Sequence, residues 1–193
     1  KIEPELLKLL DAAATNDPGL ALAAVTHARI LTAQRLGPLG ALRWNRRVEE
    51  RLMELGYRTD DTYYVGRPIL ITSNDQGNRI WNGDLGVCGR NQDGETVVWI
   101  MDPNGSAREL NPRRLPAHET AWAMTVHKAQ GSEFDHVLLS LPDRPTPLNN
   151  ASLIYTGVTR AKRRATICAN LELLEEGLAN WPERKSGLAA TLR

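Results

Sequence analysis

The sequence contains few cysteines and no long run of hydrophobic residues. Its 193 residues include two cysteines, Cys88 and Cys168, which lie far apart in apolar segments. Because there is no Cys-x-x-Cys pair and no Cys/His cluster, a zinc site is not expected, and the thiols are predicted to be buried and reduced. No apolar run approaches the roughly 20 residues of a transmembrane helix, and the first residues do not resemble a signal peptide. These absences predict a cytoplasmic protein without membrane association.

Aromatic residues and net charge are also low. Aromatic side chains make up 5% of the chain, and the formal net charge is +1. Such a small excess of positive charge gives no global preference for nucleic acid, so any basic site would have to be local. Stacking of bases would depend on very few side chains. The hydrophobic content of 41% is that of a globular protein, and the length suits one large domain or one domain with a small insert.

The hydrophobic pattern divides the chain into three segments. Residues 1–65 contain a short amphipathic helix, an apolar strand at 30–33 and a longer helix that ends at Gly56. Residues 66–115 contain short strands separated by turns with no helix between them, which predicts a small β-barrel. Residues 116–193 return to alternating strands and helices. The pattern therefore predicts one α/β domain that is interrupted by an inserted barrel.

Residues 121–135 join an apolar strand to a polar loop and include several residue types common in binding sites. Thr125 and His127 alternate at the strand end and are predicted to share a face, where a hydroxyl and an imidazole can bond a phosphate or a base. Gly131 permits a tight backbone or the close approach of a ligand, and Glu133 can accept a hydrogen bond from a sugar hydroxyl. A single histidine in a polar loop is more often bonded locally, but the whole run favours a binding site.

A second cluster centres on Arg160. Asn149 or Asn150 is predicted to cap a helix that runs to about Ala161, which places Arg160 near the buried stripe of that helix. A guanidinium held there needs an anion, and a phosphoryl group is a suitable one. The basic residues at 162–164 are explained instead by the preference of helix C-termini for cations.

The sequence lacks the main element of a nucleotide site. No GxxxxGK[ST] motif occurs, and no pair of acidic residues is convincingly placed to hold magnesium. Arg35, which follows a predicted strand and precedes a Gly-Pro turn, is a third candidate, although a solvated arginine is the usual case. The chain is therefore predicted to complete an ATP site but not to form one by itself.

Several motifs, in the same order along the chain, resemble superfamily 1 DNA helicases and specifically the RecD family, the alpha subunit of exodeoxyribonuclease V. Residues 125–135, TVHKAQGSEFD, resemble helicase motif V, and residues 158–161, VTRA, resemble motif VI. Residues 35–40 and the later Asn45 resemble the region of motif IV. The resemblance covers about residues 28–190.

The resemblance implies the second of two RecA-like motor domains, without the P-loop and with a small SH3-like barrel inserted. The parent protein would be an ATP-dependent 5′-to-3′ DNA helicase that acts on single-stranded DNA with RecB and RecC in double-strand break repair and recombination. The first RecA-like domain, with the P-loop and the Mg²⁺ ligands, would lie outside this sequence. A chain that begins with Lys1 is therefore expected to be a C-terminal fragment, inactive alone and with no metal ligands of its own.

The same resemblance implies roles for individual residues. Arg160 would be the arginine finger, and Arg35 would be a second contact to the γ-phosphate of ATP. Glu133 would bond the ribose, with Gly131 beside it. The residues implied to contact single-stranded DNA are Thr125 and His127.

Two other interpretations remain open. The chain can be a non-catalytic module that binds DNA or protein, or it can belong to a stand-alone RecD-like helicase or a conjugative relaxase helicase. Residues 184–188 favour the complex-forming RecD type. Two small departures from the family pattern are Ala129, where Ser is common, and Gly157, where Ala is common.

Overall fold

The computed structural model describes residues 2–102 and 104–182, and the tail at 184–188 used in the sequence argument lies outside them. The helices are α1 (Glu3–Ala14), α2 (Pro18–Ala24), α3 (Ala41–Glu54), α4 (Ala151–Val158) and α5 (Leu171–Ala179). The strands are β1 (Ala28–Thr32), β2 (Pro68–Ile71), β3 (Leu85–Arg90), β4 (Thr96–Met101), β5 (Ala107–Leu110), β6 (His118–Thr120), β7 (Ala123–Thr125), β8 (Phe134–Ser140) and β9 (Ala161–Cys168). No helix among these residues is both long and apolar enough to cross a membrane.

A four-stranded parallel sheet with the order β7-β1-β8-β9 forms the centre of the α/β part. Strand β1 is buried along its whole length, and its alternate side chains enter different cores. Ile30 packs with residues of α1, α2 and α3, whereas Leu31 packs with Leu139 of β8 and Ile154 of α4. Helices therefore cover both faces of the sheet, as parallel strands require. The predicted α/β class is confirmed.

The remaining strands form an antiparallel sheet with the order β5-β4-β3-β2-β6. It has its own apolar core, which includes Ile69, Ile71, Cys88, Val98 and Ile100. The sheet takes in β6, so its pairings extend past the predicted boundary at residue 115. Among the described residues, no pairing joins the outer strands β5 and β6. Closure into an SH3-like barrel and the division into 1–65, 66–115 and 116–193 stay predictions.

The chain passes from the antiparallel to the parallel sheet within a few residues. The apolar strand expected from residue 121 begins only at Ala123 of β7, and Ala121 and Trp122 are fully buried between β6 and β7. The indole Nε1 of Trp122 donates to the Tyr64 hydroxyl at 2.6 Å, and that hydroxyl donates to the Glu49 carboxylate at 3.1 Å. The pKa of Glu49 is raised because the carboxyl is partly buried. This junction links both sheets to α3.

Two expectations about the end of the chain are wrong. Asn150 caps α4 as predicted, but the helix ends at Val158, and residues 162–164 lie in β9 rather than at a helix C-terminus. The strand begins before its apolar residues because β9 is exposed along most of its length, and its pairing with β8 contains a bulge. Cys168 is exposed because β9 is an edge strand, whereas Cys88 is buried as predicted.

Gly157 gives a test of how closely α4 packs on the sheet. A Cβ atom at this position would lie 2.8 Å from Leu139 Cδ1 and 3.2 Å from Val126 Cγ2. Gly157→Ala gains up to about 1 kcal/mol of helix propensity, but overpacking costs about 1–3 kcal/mol. We therefore expect the free energy of unfolding to fall, measured by urea denaturation. Ser152→Ala, in the same helix, is the matched control, and a more stable Gly157→Ala protein would contradict the packing argument.

Candidate functional site

The loop at 126–133 runs from the carboxyl ends of the parallel strands, which we call the carboxyl edge, to their amino ends, which we call the amino edge. Thr125, at the carboxyl end of β7, is level with Thr32, and Thr32 is level with Ser140 at the carboxyl end of β8. The loop must then return to Phe134, where β8 begins. Since β8 has 7 residues, its two ends lie about 20 Å apart. The loop therefore contributes residues to both the carboxyl edge and the amino edge of the sheet.

Thr125 and His127 lie at the start of this loop, at the carboxyl edge. The Thr125 side chain is half-buried, and its hydroxyl accepts a hydrogen bond from the Lys128 N–H at 3.3 Å. His127 is exposed. The prediction that the two residues share a strand face is wrong, because β7 ends at Thr125 and His127 belongs to the following turn. Both residues nevertheless lie at the same edge.

Arg35 also lies at the carboxyl edge, just beyond the end of β1. Its Nη2 atom is 3.6 Å from Glu119 Oε2, and 56% of its side chain is exposed. The other oxygen of the same carboxylate, Oε1, lies 2.6 Å from Lys128 Nζ. Glu119 belongs to β6, so the antiparallel sheet places an acidic group between two cations of the parallel sheet. Neither Glu119 nor Lys128 was selected from the sequence.

Gly131, Glu133 and Arg160 come together at the amino edge. Arg160 precedes β9, its carbonyl accepts from the Phe134 N–H at 2.8 Å, and its Nη1 donates to the Ser132 carbonyl at 3.4 Å. Gly131 has a φ of 88°, and no atom lies within 4 Å of the position that a Cβ would take. Glu133 is exposed, with a carboxylate oxygen 3.8 Å from Lys162 Nζ. This edge offers a guanidinium, a carboxylate and an open backbone to one ligand.

The structure does not bring Arg35 to Arg160. Arg35 follows the carboxyl end of β1, whereas Arg160 precedes the amino end of β9, and these strands run parallel to the β8 strand between them. A shared contact with one γ-phosphate therefore stays a prediction for Arg35. One signal in the sequence indicated that Arg35 lies at the carboxyl edge: Arg35 follows a predicted strand, and Thr125 lies at the end of another.

A buried arginine supports the start and the end of the loop segment. Arg29 of β1 is 1% exposed, and its guanidinium donates to the carbonyls of Ala121 and Val25. Its Cζ lies 5.0 Å from the centroid of the Phe134 ring. Burial lowers the pKa of Arg29 to about 9, so the group is still charged at neutral pH. Arg29 therefore contacts the chain both before and after the loop.

Asn45 of α3 fixes the junction that leads into the loop. Its side-chain amide donates to the carbonyls of Thr120 and Ala123 at 3.1 and 3.0 Å, and its oxygen accepts from the Ala123 N–H at 2.8 Å. The side chain is buried, so these groups have little access to water. Asn45 therefore acts as a bridge between β6 and β7.

Metal coordination is a separate question for this site. Within residues 2–102 and 104–182, no group of three or more His, Cys, Asp or Glu side chains is placed to hold a metal ion. The chemistry of the amino edge suits the phosphate and ribose of a nucleotide, through Arg160 and Glu133.

Comparison with known proteins relates these residues to helicases. Residues 120–168 match the family of the UvrD-like helicase C-terminal domain, a range that includes both edges of the loop and Arg160. The chain is 37% identical over 95% of its length to "RecBCD enzyme subunit RecD" of Haemophilus influenzae, and 39% identical over 98% to the protein of the same name of Mycobacterium tuberculosis. It spans 28% and 33% of these two relatives. It is also 33% identical, over 70% of its length, to "ATP-dependent RecD2 DNA helicase" of Deinococcus radiodurans, of which it spans 19%.

Removal of the Asn45 amide tests the bridge between the two sheets. In Asn45→Ala the buried N–H and carbonyl of Ala123 lose their partner, and an unsatisfied buried group costs about 1–3 kcal/mol. We expect the free energy of unfolding to fall by about 2–4 kcal/mol, measured by urea denaturation. Arg46→Ala, at the exposed neighbouring position, is the control and should change stability little. Equal stability of the two variants would contradict the bridging role.

Proposed function

The chain belongs to the RecD family, and we propose that it acts as the second RecA-like motor domain of an ATP-dependent DNA helicase. The observation that carries the proposal is the path of the loop at 126–133 between two edges with different chemistry. The amino edge offers Arg160 and Glu133 to a nucleotide, and the carboxyl edge offers Thr125 and His127 to a DNA strand. One loop can then couple the nucleotide to the movement of DNA.

At the amino edge, Arg160 is the proposed arginine finger. Its bonds to the carbonyls of Thr156 and Ser132 are 3.3 and 3.4 Å long, so the guanidinium can turn toward a stronger acceptor. A delocalised, five-donor cation suits the charge that spreads over a phosphoryl group during transfer. Glu133 would accept from a ribose hydroxyl, and Gly131 leaves room for the ligand. Bound ATP with Mg²⁺ supplies the phosphoryl group, held in large part by a P-loop domain outside this sequence.

At the carboxyl edge, Thr125 and His127 are the proposed contacts with single-stranded DNA. A hydroxyl and an imidazole N–H are suitable donors to the sugar-phosphate backbone. His127 is exposed and Thr125 is half-buried, so both are within reach of a strand that crosses this edge. The contacts would not depend on base sequence, which is what a motor that moves along DNA requires.

The wider assignment follows the named relatives. We propose that the parent protein is the RecD subunit of a complex with RecB and RecC, that it moves 5′ to 3′, and that it acts in the cytoplasm in repair and recombination of broken DNA. The proposed insert at 66–115 would be an SH3-like barrel within the motor domain. The subunits of Haemophilus influenzae and Mycobacterium tuberculosis match 95% and 98% of this chain and the RecD2 helicase matches 70%, which supports the complex over a stand-alone enzyme. Detection of RecB and RecC genes beside this one, and co-purification of their products, would test it.

Arg160→Ala tests the nucleotide half of the proposal. In the full-length protein we expect kcat for ATP hydrolysis to fall by roughly 10³-fold or more, while the affinity for an oligothymidylate is kept. Arg160→Lys should recover little activity, because an ammonium cannot form the planar two-donor contact. Arg163→Ala is the control, since Arg163 is exposed on β9 and its long 3.6 Å pair with Asp135 lies at the surface. An unchanged kcat in Arg160→Ala would exclude the finger role.

The isolated chain should not hydrolyse ATP. We expect no ATP turnover above background, because the proposed site lacks the P-loop that holds the β- and γ-phosphates. Phosphate release measured with and without oligothymidylate would check this. Robust turnover would refute the proposal. Addition of the P-loop domain in the same polypeptide should restore hydrolysis, whereas a non-catalytic module would stay inactive.

A further inference from the structure

We propose that Arg35 and Lys128 bind a phosphate of the DNA backbone and that Glu119 competes with the DNA for these two cations. The inference rests on the proposed function and adds to it a regulated contact at the carboxyl edge. It gives Arg35 a ligand other than ATP. It also gives the antiparallel sheet a part in DNA binding through one carboxylate.

Three elements bring this cluster together. Arg35 follows β1, Lys128 lies in the loop after β7, and Glu119 is in β6. Glu119 uses a different oxygen for each cation, at 3.6 Å from Arg35 Nη2 and 2.6 Å from Lys128 Nζ. The backbone of Glu119 pairs with Leu70 of β2, so the sheet fixes the position from which the carboxylate extends.

The cluster already binds an anionic group that resembles a phosphate. A carboxylate between an arginine and a lysine offers two oxygens to two sets of N–H donors, and a backbone phosphate offers the same. The three side chains sum to one positive charge, and removal of Glu119 would leave two. The side chain of Arg35 is 56% exposed, that of Lys128 is 35% exposed and that of Glu119 is 21% exposed. A strand at the surface can therefore reach both cations.

The exchange of carboxylate for phosphate breaks two ion pairs. Water screens the long Arg35–Glu119 pair, whereas the Lys128–Glu119 pair is shorter and partly buried. Breakage of these pairs is a penalty on DNA binding that a single substitution can remove. Glu119 would lower the affinity of the protein for DNA, which favours release of the strand as the motor moves.

The position of the cluster favours DNA over ATP. The N–H of Lys128 donates to the Thr125 hydroxyl, so the cluster adjoins a proposed DNA contact. Arg160, the proposed contact with ATP, lies at the opposite edge of the sheet, about 20 Å away along the strands. A phosphate at Arg35 and Lys128 therefore continues the path of a strand that passes Thr125.

The test measures binding of fluorescein-labelled oligothymidylate to the full-length protein over a series of salt concentrations. In Glu119→Gln we expect affinity to rise about two- to tenfold at low salt. The slope of log K against log salt should become steeper, by up to about 0.7 per phosphate contact. In the double variant Arg35→Ala/Lys128→Ala we expect weaker binding, and addition of Glu119→Gln to it should then have no effect. A gain in affinity cannot result from a folding defect.

Glu54→Gln is the matched control. Glu54 also pairs with an arginine, Arg51, at 3.0 Å, but it lies on α3 away from this edge. If Glu119→Gln binds the oligonucleotide with the same affinity and slope as Glu54→Gln, the competition is excluded. If Arg35→Ala/Lys128→Ala raises KM for ATP and leaves DNA binding unchanged, the anion is a nucleotide and the inference is overturned.

Failure of the inference can be told apart from failure of the proposed function. A wild-type protein that binds no oligothymidylate and shows no DNA-stimulated ATP hydrolysis would refute the proposed function itself. A wild-type protein that binds DNA through Thr125 and His127, but does not respond to changes at Arg35, Lys128 or Glu119, would refute the competition alone.

Discussion

The parallel register of β7, β1 and β8 is the constraint on which the site depends. Because Thr125, Thr32 and Ser140 are level, the chain leaves β7 at one edge of the sheet and enters β8 at the other. A parallel connection has to cross the sheet, since only antiparallel strands can be joined by a tight turn. The residues of the loop at 126–133 are thereby divided between two edges. In the proposed function, this division separates the DNA contacts from the nucleotide contacts.

Such a loop can couple nucleotide binding to the DNA contacts only if the segments before and after it are held in place. Arg29 donates to the carbonyl of Ala121 before the loop and packs against the Phe134 ring after it. Asn45 holds the same junction from α3. Within the loop, Val126 and Ala129 are buried, whereas His127, Gly131 and Glu133 are exposed. The loop is therefore anchored by apolar and buried polar groups, and its binding groups remain free to respond to ligands.

The sequence predicted the α/β class and most helices and strands. It failed where tertiary contacts decide the outcome. The strand expected from residue 121 begins only at Ala123, because apolar residues do not reveal that Ala121 and Trp122 are buried where the chain passes between two sheets. Residues 162–164 were assigned to a helix end, because an exposed strand of basic residues has no apolar signal in sequence. Arg29 was missed, since a buried cation bonded to carbonyls has no pattern in sequence.

Arg35 shows that the order of motifs along a chain does not determine where their residues lie in the folded site. The family resemblance implies a contact with ATP, whereas in the structure its guanidinium pairs with a carboxylate of the antiparallel sheet, at the end of the strands where Thr125 also lies. The direction of a strand decides which edge its following residue reaches, and that direction is known only once the pairing is known. The same carboxylate makes the antiparallel sheet part of the carboxyl edge. In the proposed motor, that sheet would then modulate the contact with DNA without touching the nucleotide.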